Sequence, residues 1–183
     1  MIDDRNNKFR GWNLTGYDHK SILDMINGVI PNNLFIGDYV IINKIAYRFA
    51  KFYDNKCAVL VPDRIIGRSK NSFGKFTVEY EKSYIHKTVL PRLLQNFSMT
   101  EFPVIETRLL NETDLYTLPL FNLDKSFIKE YFNTPYLLSD IANKYSYRCV
   151  DEFGRVSDIP AGTYLGIRPK VYIGNTIFLS NKK

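Results

Sequence analysis

The residues that could take part in catalysis are few and poorly spaced for it. His19 and His86 are the only histidines, and both fall on predicted helices at positions where an exposed side chain is expected. The acidic pairs at positions 3–4 and 151–152 are sequence neighbours, which point in different directions along a strand and make poor acid–base partners. The segment from Gly162 to Gly166 lacks the lysine of a phosphate-binding loop. These patterns predict a protein that is not an enzyme.

Thiol and metal chemistry are indicated just as weakly. Cys57 and Cys149 are the only cysteines, and each lies inside an apolar, strand-like run. We expect two buried thiols that pack as small hydrophobic side chains, with a disulfide open to them if their Cα atoms come within reach. The chain has no metal-ligand spacing and no EF-hand pattern, so we expect neither a metal nor a cofactor.

The sharpest pattern runs from Tyr145 to Ile173 and predicts two strands joined by a polar excursion. Positions 145–150 alternate with a period of two, which is typical of a strand with one face against the core. Gly154 can adopt the positive φ that the following reversal requires. The second strand contains Pro169, which lacks an amide donor and is expected at an edge or a bulge. Arg168 precedes this proline and therefore favours extended backbone.

The preceding chain predicts an antiparallel meander and short helices. Asp18 can cap a helix that ends near Gly28, and Ser83 can cap a second helix, which Pro91 should split. Ser126 can cap a later short helix that runs to residue 132. Strands are predicted at 39–45, 46–52, 56–61 and 136–138, with a hairpin turn at 54–55. Residues 62–75 are predicted as a basic loop, whereas 76–80 and 98–113 fit either strand or loop.

Length and composition favour one globular domain. The 183 residues are enough for a sizeable core, and we divide them into an N-terminal arm at 1–17 with Trp12 as its anchor, a domain at 18–174 and a C-terminal tail at 175–183. The 13 tyrosines and 13 phenylalanines suit β-rich structure and also surfaces that bind through aromatic rings. No window approaches the roughly 18 apolar residues of a membrane span, so no membrane insertion is expected.

The positive charge leaves a nucleic-acid reading open. The net charge of +6 and pI of about 9.2 permit binding to nucleic acid, acidic glycans or an acidic protein surface. The densest basic cluster is Arg64, Arg68 and Lys70, and a solvated basic loop is the favoured explanation for it. A nucleic-acid-associated protein that uses the loop from Arg64 to Lys75 is therefore an alternative, although we expect nucleic-acid binding to be unlikely.

The order of several short motifs carries a family resemblance. These motifs are GDYVIINKIAYRFAKFYDNKCAVLVPD, SYIHKTVLPRLL, DLYTLP, PYLLSD and YRCVDEFGRVSDIPAGTYLGIRPKVYI. Taken over residues 18–174, the order resembles an uncharacterised bacterial and phage domain family related to the formylglycine-generating-enzyme branch of the C-type-lectin-like fold. Gly166 to Pro169 match the closing motif of that family, and Cys149 matches a cysteine that often precedes its asparagine-rich turn.

The resemblance implies an α+β, C-type-lectin-like domain with a twisted antiparallel sheet, two helices and a long irregular segment that displays variable side chains. In related proteins the fold serves as a display scaffold on phage tail or head appendages or on the cell surface. The chain departs from the family at Tyr136–Asp140, where many members have a tryptophan-rich segment, and at the shortened turn 151–154. The paired catalytic cysteines of the enzyme branch have no counterpart.

We therefore expect a non-enzymatic phage virion protein that belongs to a larger oligomeric assembly and that docks on other virion proteins or recognises a host surface glycan or protein. The N-terminus has no apolar signal region, which favours a virion component made in the host cytoplasm over the alternative of a bacterial surface adhesin. The structural residues are predicted to be Cys149, Gly154, Gly166, Arg168 and Pro169, with Arg168 bonded to a carboxylate or to carbonyls. The predicted contact residues are Tyr145, Tyr147, Arg155, Ser157, Asp158, Thr163 and Tyr164, and packing of this polar loop on a neighbouring subunit is the competing interpretation.

Overall fold

Two five-stranded sheets and several short helices make up the computed structural model, which describes residues 4–31, 33–53, 56–98 and 102–174. The α+β class is confirmed. The strands are β1 Tyr39–Ile42, β2 Ile45–Tyr53, β3 Cys57–Pro62, β4 Gly67–Lys70, β5 Val104–Leu109, β6 Tyr136–Asn143, β7 Ser146–Val150, β8 Val156–Pro160, β9 Tyr164–Ile167 and β10 Pro169–Gly174. The α-helices are α1 His19–Ile26, α2 Leu90–Leu93, α3 Gln95–Ser98, α4 Asp114–Thr117, α5 Leu120–Leu123 and α6 Lys125–Tyr131, with 3-10 turns at Asp4–Asn7 and Tyr80–Lys82.

The first sheet has the order β1-β2-β3-β10-β5 and is antiparallel throughout. Its first three strands form the predicted meander, and the predicted turn at 54–55 lies outside the described residues. Every residue of β3 and β10 is buried, because both strands are flanked by neighbours and covered by other elements. The continuous apolar run of β3 is typical of such a position, whereas β10 also buries Lys170.

The second sheet has the order β4-β9-β6-β7-β8, with one parallel pairing between β6 and β9 and the rest antiparallel. The sequence analysis predicted one sheet and no strand at the positions of β4 and β8, and both predictions are corrected here. β4 lies inside the supposed basic loop, and β8 lies inside the supposed irregular excursion. Neither has a clear apolar alternation, since their sequences are GRSK and VSDIP. Their extended form depends on pairing with β9 and β7 rather than on a local pattern.

The chain crosses from the second sheet to the first at Arg168. Pro169 is the first residue of β10, and β10 is flanked by strands on both sides. The prediction that Pro169 lies at an edge or a bulge was therefore wrong. The first position of a strand also tolerates a residue without an amide donor. The Arg168 guanidinium is fully buried and donates to the carbonyls of Asp63 and Tyr131, each at 3.3 Å. Carbonyl partners were predicted, but they lie beyond β3 and at the end of α6 rather than beneath the segment 155–164.

Two helix starts test the predicted caps. The Asp18 carboxylate accepts a hydrogen bond from Ser21 N at 2.8 Å, which confirms Asp18 as the cap of α1. α6 is capped by Asp124, whose side chain accepts from Phe127 N at 3.0 Å. The prediction of Ser126 as this cap was wrong, because the helix begins at Lys125, two residues earlier than a Ser126 cap requires, and Asp124 supplies the acceptor.

The predicted split at Pro91 takes an unexpected form. Ser83 Oγ accepts from His86 N at 3.2 Å, and the chain then makes a π turn over Ile85–Val89 before α2. Pro91 is near the first position of α2, where a missing amide donor is tolerated. The proline therefore changes the helical pitch instead of ending the segment.

The N-terminal segment packs along β1, although not through Trp12. Arg10 N donates to Ile36 O and Leu14 N donates to Tyr39 O, both at 2.9 Å. Leu14 is buried whereas Trp12 is exposed, which corrects the expectation that Trp12 anchors the segment. The Arg10 guanidinium pairs with the buried Asp38 carboxylate and fixes the segment to the body of the protein.

Buried tyrosines make stability sensitive to alkaline pH. Burial raises the pKa of Tyr47, Tyr80 and Tyr136 to about 12, whereas an unfolded tyrosine loses its proton near pH 10. Between these values the unfolded chain binds fewer protons, so stability falls as pH rises from 10 to 12. Burial also raises the pKa of Tyr53 and Tyr172. It lowers the pKa of Arg48 and brings that of Arg168 to about 10, which acts in the opposite direction but involves two groups against five.

We expect urea unfolding to give a lower free energy at pH 11 than at pH 8, and Tyr47→Phe to reduce that difference. Each raised tyrosine pKa contributes up to about 1.4 kcal/mol per pH unit above 10. Phenylalanine keeps the edge-to-face contact with Phe97, whose ring centroid lies 4.9 Å away. An equal alkaline loss in Tyr47→Phe and the native chain would contradict this account.

Candidate functional site

The seven predicted contact residues do not form one site. Tyr145 lies in the turn between β6 and β7, and Tyr147 lies on β7. Arg155 ends the turn between β7 and β8. The remaining four lie on β8 or around the start of β9: Ser157, Asp158, Thr163 and Tyr164. The structure places Tyr145 beside an exposed aromatic cluster that the sequence patterns did not identify.

That cluster is carried by residues 71–79, here called the strap. Tyr147 holds the strap: its hydroxyl accepts from Val78 N at 2.6 Å and donates to Val78 O at 3.1 Å. Thr77 N also donates to Lys144 O at 2.9 Å. The Tyr147 side chain is only 1% exposed, so we assign it to the framework and correct the expectation that it contacts a ligand.

The aromatic surface consists of five exposed or half-exposed apolar side chains: Phe73, Phe76, Val78, Tyr84 and Tyr145. The rings of Phe73 and Tyr84 meet edge-to-face at 4.8 Å, and those of Phe76 and Tyr145 lie 5.5 Å apart. Phe73 is 73% exposed. Clustered exposed rings are costly in water and are typical of a surface that contacts another molecule.

A groove of about 540 Å³ lies between the strap and the helical turn that carries Tyr84. Lys82 and Lys87 line the groove together with Phe73, Phe76, Val78 and Tyr84, and the charge of Lys82 is paired with Glu79 of the strap. Lys144 Nζ lies 4.9 Å from the Phe76 ring centroid and 5.7 Å from that of Tyr145, within cation–π range. The aromatic surface is therefore bordered by positive charge and suits an apolar partner with an acidic margin.

Asn71 is a buried residue of the groove lining. Neither its amide nitrogen nor its amide oxygen has a hydrogen-bond partner among the described residues. A buried amide without a partner is unfavourable by about 1–3 kcal/mol. The groove thus combines apolar rings with an unsatisfied polar group at its base.

A second concave surface, the cationic cleft, lies between α6 and the turn from β7 to β8. The cleft has a volume of about 680 Å³ and includes Arg155, Lys125, Lys129 and Glu152 at its margin. Its apolar lining comprises Leu115, Phe121, Ile128, Phe132, Tyr136, Val150 and Phe153. Gly154 has φ of 78°, as predicted for the reversal that places Arg155 here.

Two predicted contact residues on β8 bond to side chains of β7. Ser157 Oγ lies 3.2 Å from Cys149 Sγ, and Asp158 accepts from the Arg148 guanidinium at 2.7 Å. Burial raises the pKa of the Cys149 thiol, which disfavours the reactive thiolate. Cys149 and Cys57 are both buried and not disulfide-bonded; they lie in different sheets. Prediction and structure agree on two buried thiols.

The basic residues of the nucleic-acid alternative lie on or near an edge strand. Arg68 and Lys70 are exposed on β4, and Ser69 between them is buried. β4 occupies one end of the second sheet. Charged side chains on such a strand discourage pairing with another chain, which gives the cluster a structural reason.

The histidines lie against aromatic rings. The His19 ring centroid lies 4.4 Å from that of Phe102, and the His86 ring centroid lies 4.9 Å from that of Tyr80.

Within residues 4–31, 33–53, 56–98 and 102–174, no group of three or more histidine, cysteine or acidic side chains is placed to hold a metal ion. No helix in that part of the chain is long and apolar enough to cross a bilayer.

Comparison with known protein families, with curated proteins and with solved structures finds no match to this chain.

Proposed function

We propose that this chain is a non-enzymatic structural protein of a phage virion, a C-type-lectin-like module that docks on another virion protein through the aromatic surface. The observation that carries the docking proposal is the cluster of exposed rings on the strap. The virion assignment and the C-type-lectin-like assignment rest on the sequence resemblance.

The aromatic surface has the chemistry of an interface core. Aromatic side chains supply large contact areas and are enriched among the residues that dominate binding energy. The strap is anchored through Tyr147 and Thr77, so its rings are held before a partner arrives and less ordering entropy is lost on binding. The lysines around it select a partner with an acidic margin.

Adjacent turns extend this face. A Cβ placed on Gly162 would lie 3.3 Å from Gly74 O, so the turn from β8 to β9 packs against the strap. Tyr164, which follows this turn, is exposed and opposite Lys70 in the register of β9 and β4. Part of the predicted contact set, Tyr145, Thr163 and Tyr164, therefore borders the proposed docking face.

The test is incorporation of the chain into particles of the phage that encodes it. We expect Phe73→Ser/Phe76→Ser to lower the number of copies per purified particle by about tenfold, because buried aromatic anchors carry much of an interface's energy. Val29→Ser/Tyr116→Ser is the matched control, since both residues are 68% exposed and line neither the groove beside the strap nor the cationic cleft. Copies are counted by quantitative mass spectrometry.

Three results would overturn parts of the proposal. Absence of the native chain from particles would exclude a virion component. Equal incorporation of Phe73→Ser/Phe76→Ser and Val29→Ser/Tyr116→Ser would exclude docking through the aromatic surface. Normal incorporation combined with reduced adsorption to host cells would instead assign the aromatic surface to host recognition.

A further inference from the structure

We propose that the cationic cleft is a separate binding site for a small anionic ligand with a flat apolar body, such as an aryl carboxylate. This site is independent of the aromatic surface. The two share none of their lining residues.

The cleft offers both an apolar floor and a charged margin. Phe132 and Tyr136 are buried aromatic residues of its wall, and Phe121 is a third. Lys125, Lys129 and Arg155 line the same space, which is large enough for a ligand of two fused rings at about 680 Å³. Ligand sites commonly combine a mostly apolar lining with a few polar groups that fix orientation.

The cations of the margin are available to a ligand. Lys125 Nζ donates to Phe121 O at 2.7 Å, which holds that side chain at the cleft. The ion pairs of the described residues involve neither Lys129 nor Arg155. Three cations against the single carboxylate of Glu152 give the margin a net positive charge and favour an anion.

A further positive charge lies behind the aromatic wall. The Arg168 Cζ atom is 4.0 Å from the Phe132 ring centroid and 4.6 Å from that of Tyr136. Its hydrogen bonds are to two backbone carbonyls, and its Nε and Nη1 have no partner among the described residues. Because this charge is fully buried, solvent screens it weakly and its field adds to that of the margin.

The experiment is a titration of the isotopically labelled full chain, followed by the chemical shifts of backbone amides. The probe is 1-naphthoate, and 1-naphthalenemethanol is its neutral analogue. We expect 1-naphthoate to shift the amides of Lys129 and Gly154 in a saturable manner and to bind more tightly than the alcohol.

Charge reversal then separates this site from general attraction to a basic protein. Lys129→Glu/Arg155→Glu should weaken 1-naphthoate roughly tenfold, as expected for two partly exposed charge pairs, and leave binding of the alcohol unchanged. Lys20→Glu/Arg92→Glu makes the same change in net charge at exposed positions that line neither the cleft nor the groove beside the strap, and should leave both affinities near native.

Opposite results would overturn the proposal. These are equal affinity for the acid and the alcohol, equal weakening in both double variants, or shifts centred on Val78 and Tyr84. The last result would place the probe on the aromatic surface. Particle incorporation measures a different surface, so failure of either proposal leaves the other standing.

Discussion

Lys170→Ala is expected to lower the free energy of unfolding by about 3–5 kcal/mol, because it leaves a carboxylate buried without its cation. Lys170 Nζ lies 2.8 and 2.7 Å from the two carboxylate oxygens of Asp114. The side chains are only 7% and 10% exposed. Because water screens a cation in this position only weakly, removing it reduces the free energy of unfolding by nearly the whole interaction.

Asp114 cannot easily escape the loss by moving. Its carboxylate accepts from Asn111 N at 2.8 Å, and Asp114 N donates to Asn111 Oδ1 at 2.8 Å. These bonds form the turn that enters α4. In Lys170→Ala the carboxylate either stays buried without its cation or breaks this turn, and both alternatives destabilise the fold.

The control uses a pair with the same separation in a different environment. Lys82 and Glu79 are also 2.7 Å apart, but each is 66% exposed, so Lys82→Ala should change stability little. The double variant Lys170→Met/Asp114→Asn should lose less than Lys170→Ala, because no charge is left unpaired. Urea unfolding measures all three. Similar losses in Lys170→Ala and Lys82→Ala would contradict a dominant role of burial.

The elements with strong local patterns were predictable from the sequence. α1 follows from Asp18 and the apolar spacing behind it, and the meander from three apolar runs with polar turns. β4 and β8 were not predictable in this way, because polar strands such as GRSK and VSDIP acquire their extended form from partners distant in the chain. The edge position predicted for Pro169 was wrong for a related reason. The chain crosses to the first sheet at Arg168, and this crossing, which places Pro169 on an inner strand, is set by the tertiary fold.

The candidate site was predicted only in part. The period of two at 145–150 placed Tyr145, Tyr147 and Cys149 on one face, and both tyrosines were predicted to be contact residues. Tyr145 precedes β7 and is exposed, whereas the Tyr147 ring is buried under the strap. Phe73 and Phe76 were missed because they stand in a polar, glycine-containing segment. The presence of two large apolar residues in such a segment was the only sequence signal for an exposed contact surface. Their contacts with Tyr84 and Tyr145 could not be predicted, because these residues are brought together by the tertiary fold.

Gly166→Ala is the second large expected effect, with a loss of about 1–3 kcal/mol or more in the free energy of unfolding. A Cβ at this position would lie 2.5 Å from Pro135 O and 2.6 Å from the Ile65 Cγ2 atom. The side chain of Ile65 can adjust, but Pro135 O belongs to the backbone just before β6. Relief therefore requires β6 and β9 to separate where Gly166 pairs with Tyr136.

Gly16→Ala is the matched control, because a Cβ there meets no atom within 4 Å. Its effect should be neutral or slightly stabilising, since alanine lowers the entropy of the unfolded chain. Guanidinium unfolding of both variants measures the difference, and equal stability would mean that the sheet accommodates the extra atom. A large loss of stability confined to Gly166→Ala would instead give the physical reason for a glycine before Ile167 and Arg168. The missing side chain permits the close approach of β9 to β6, and the chain crosses to the other sheet directly after β9.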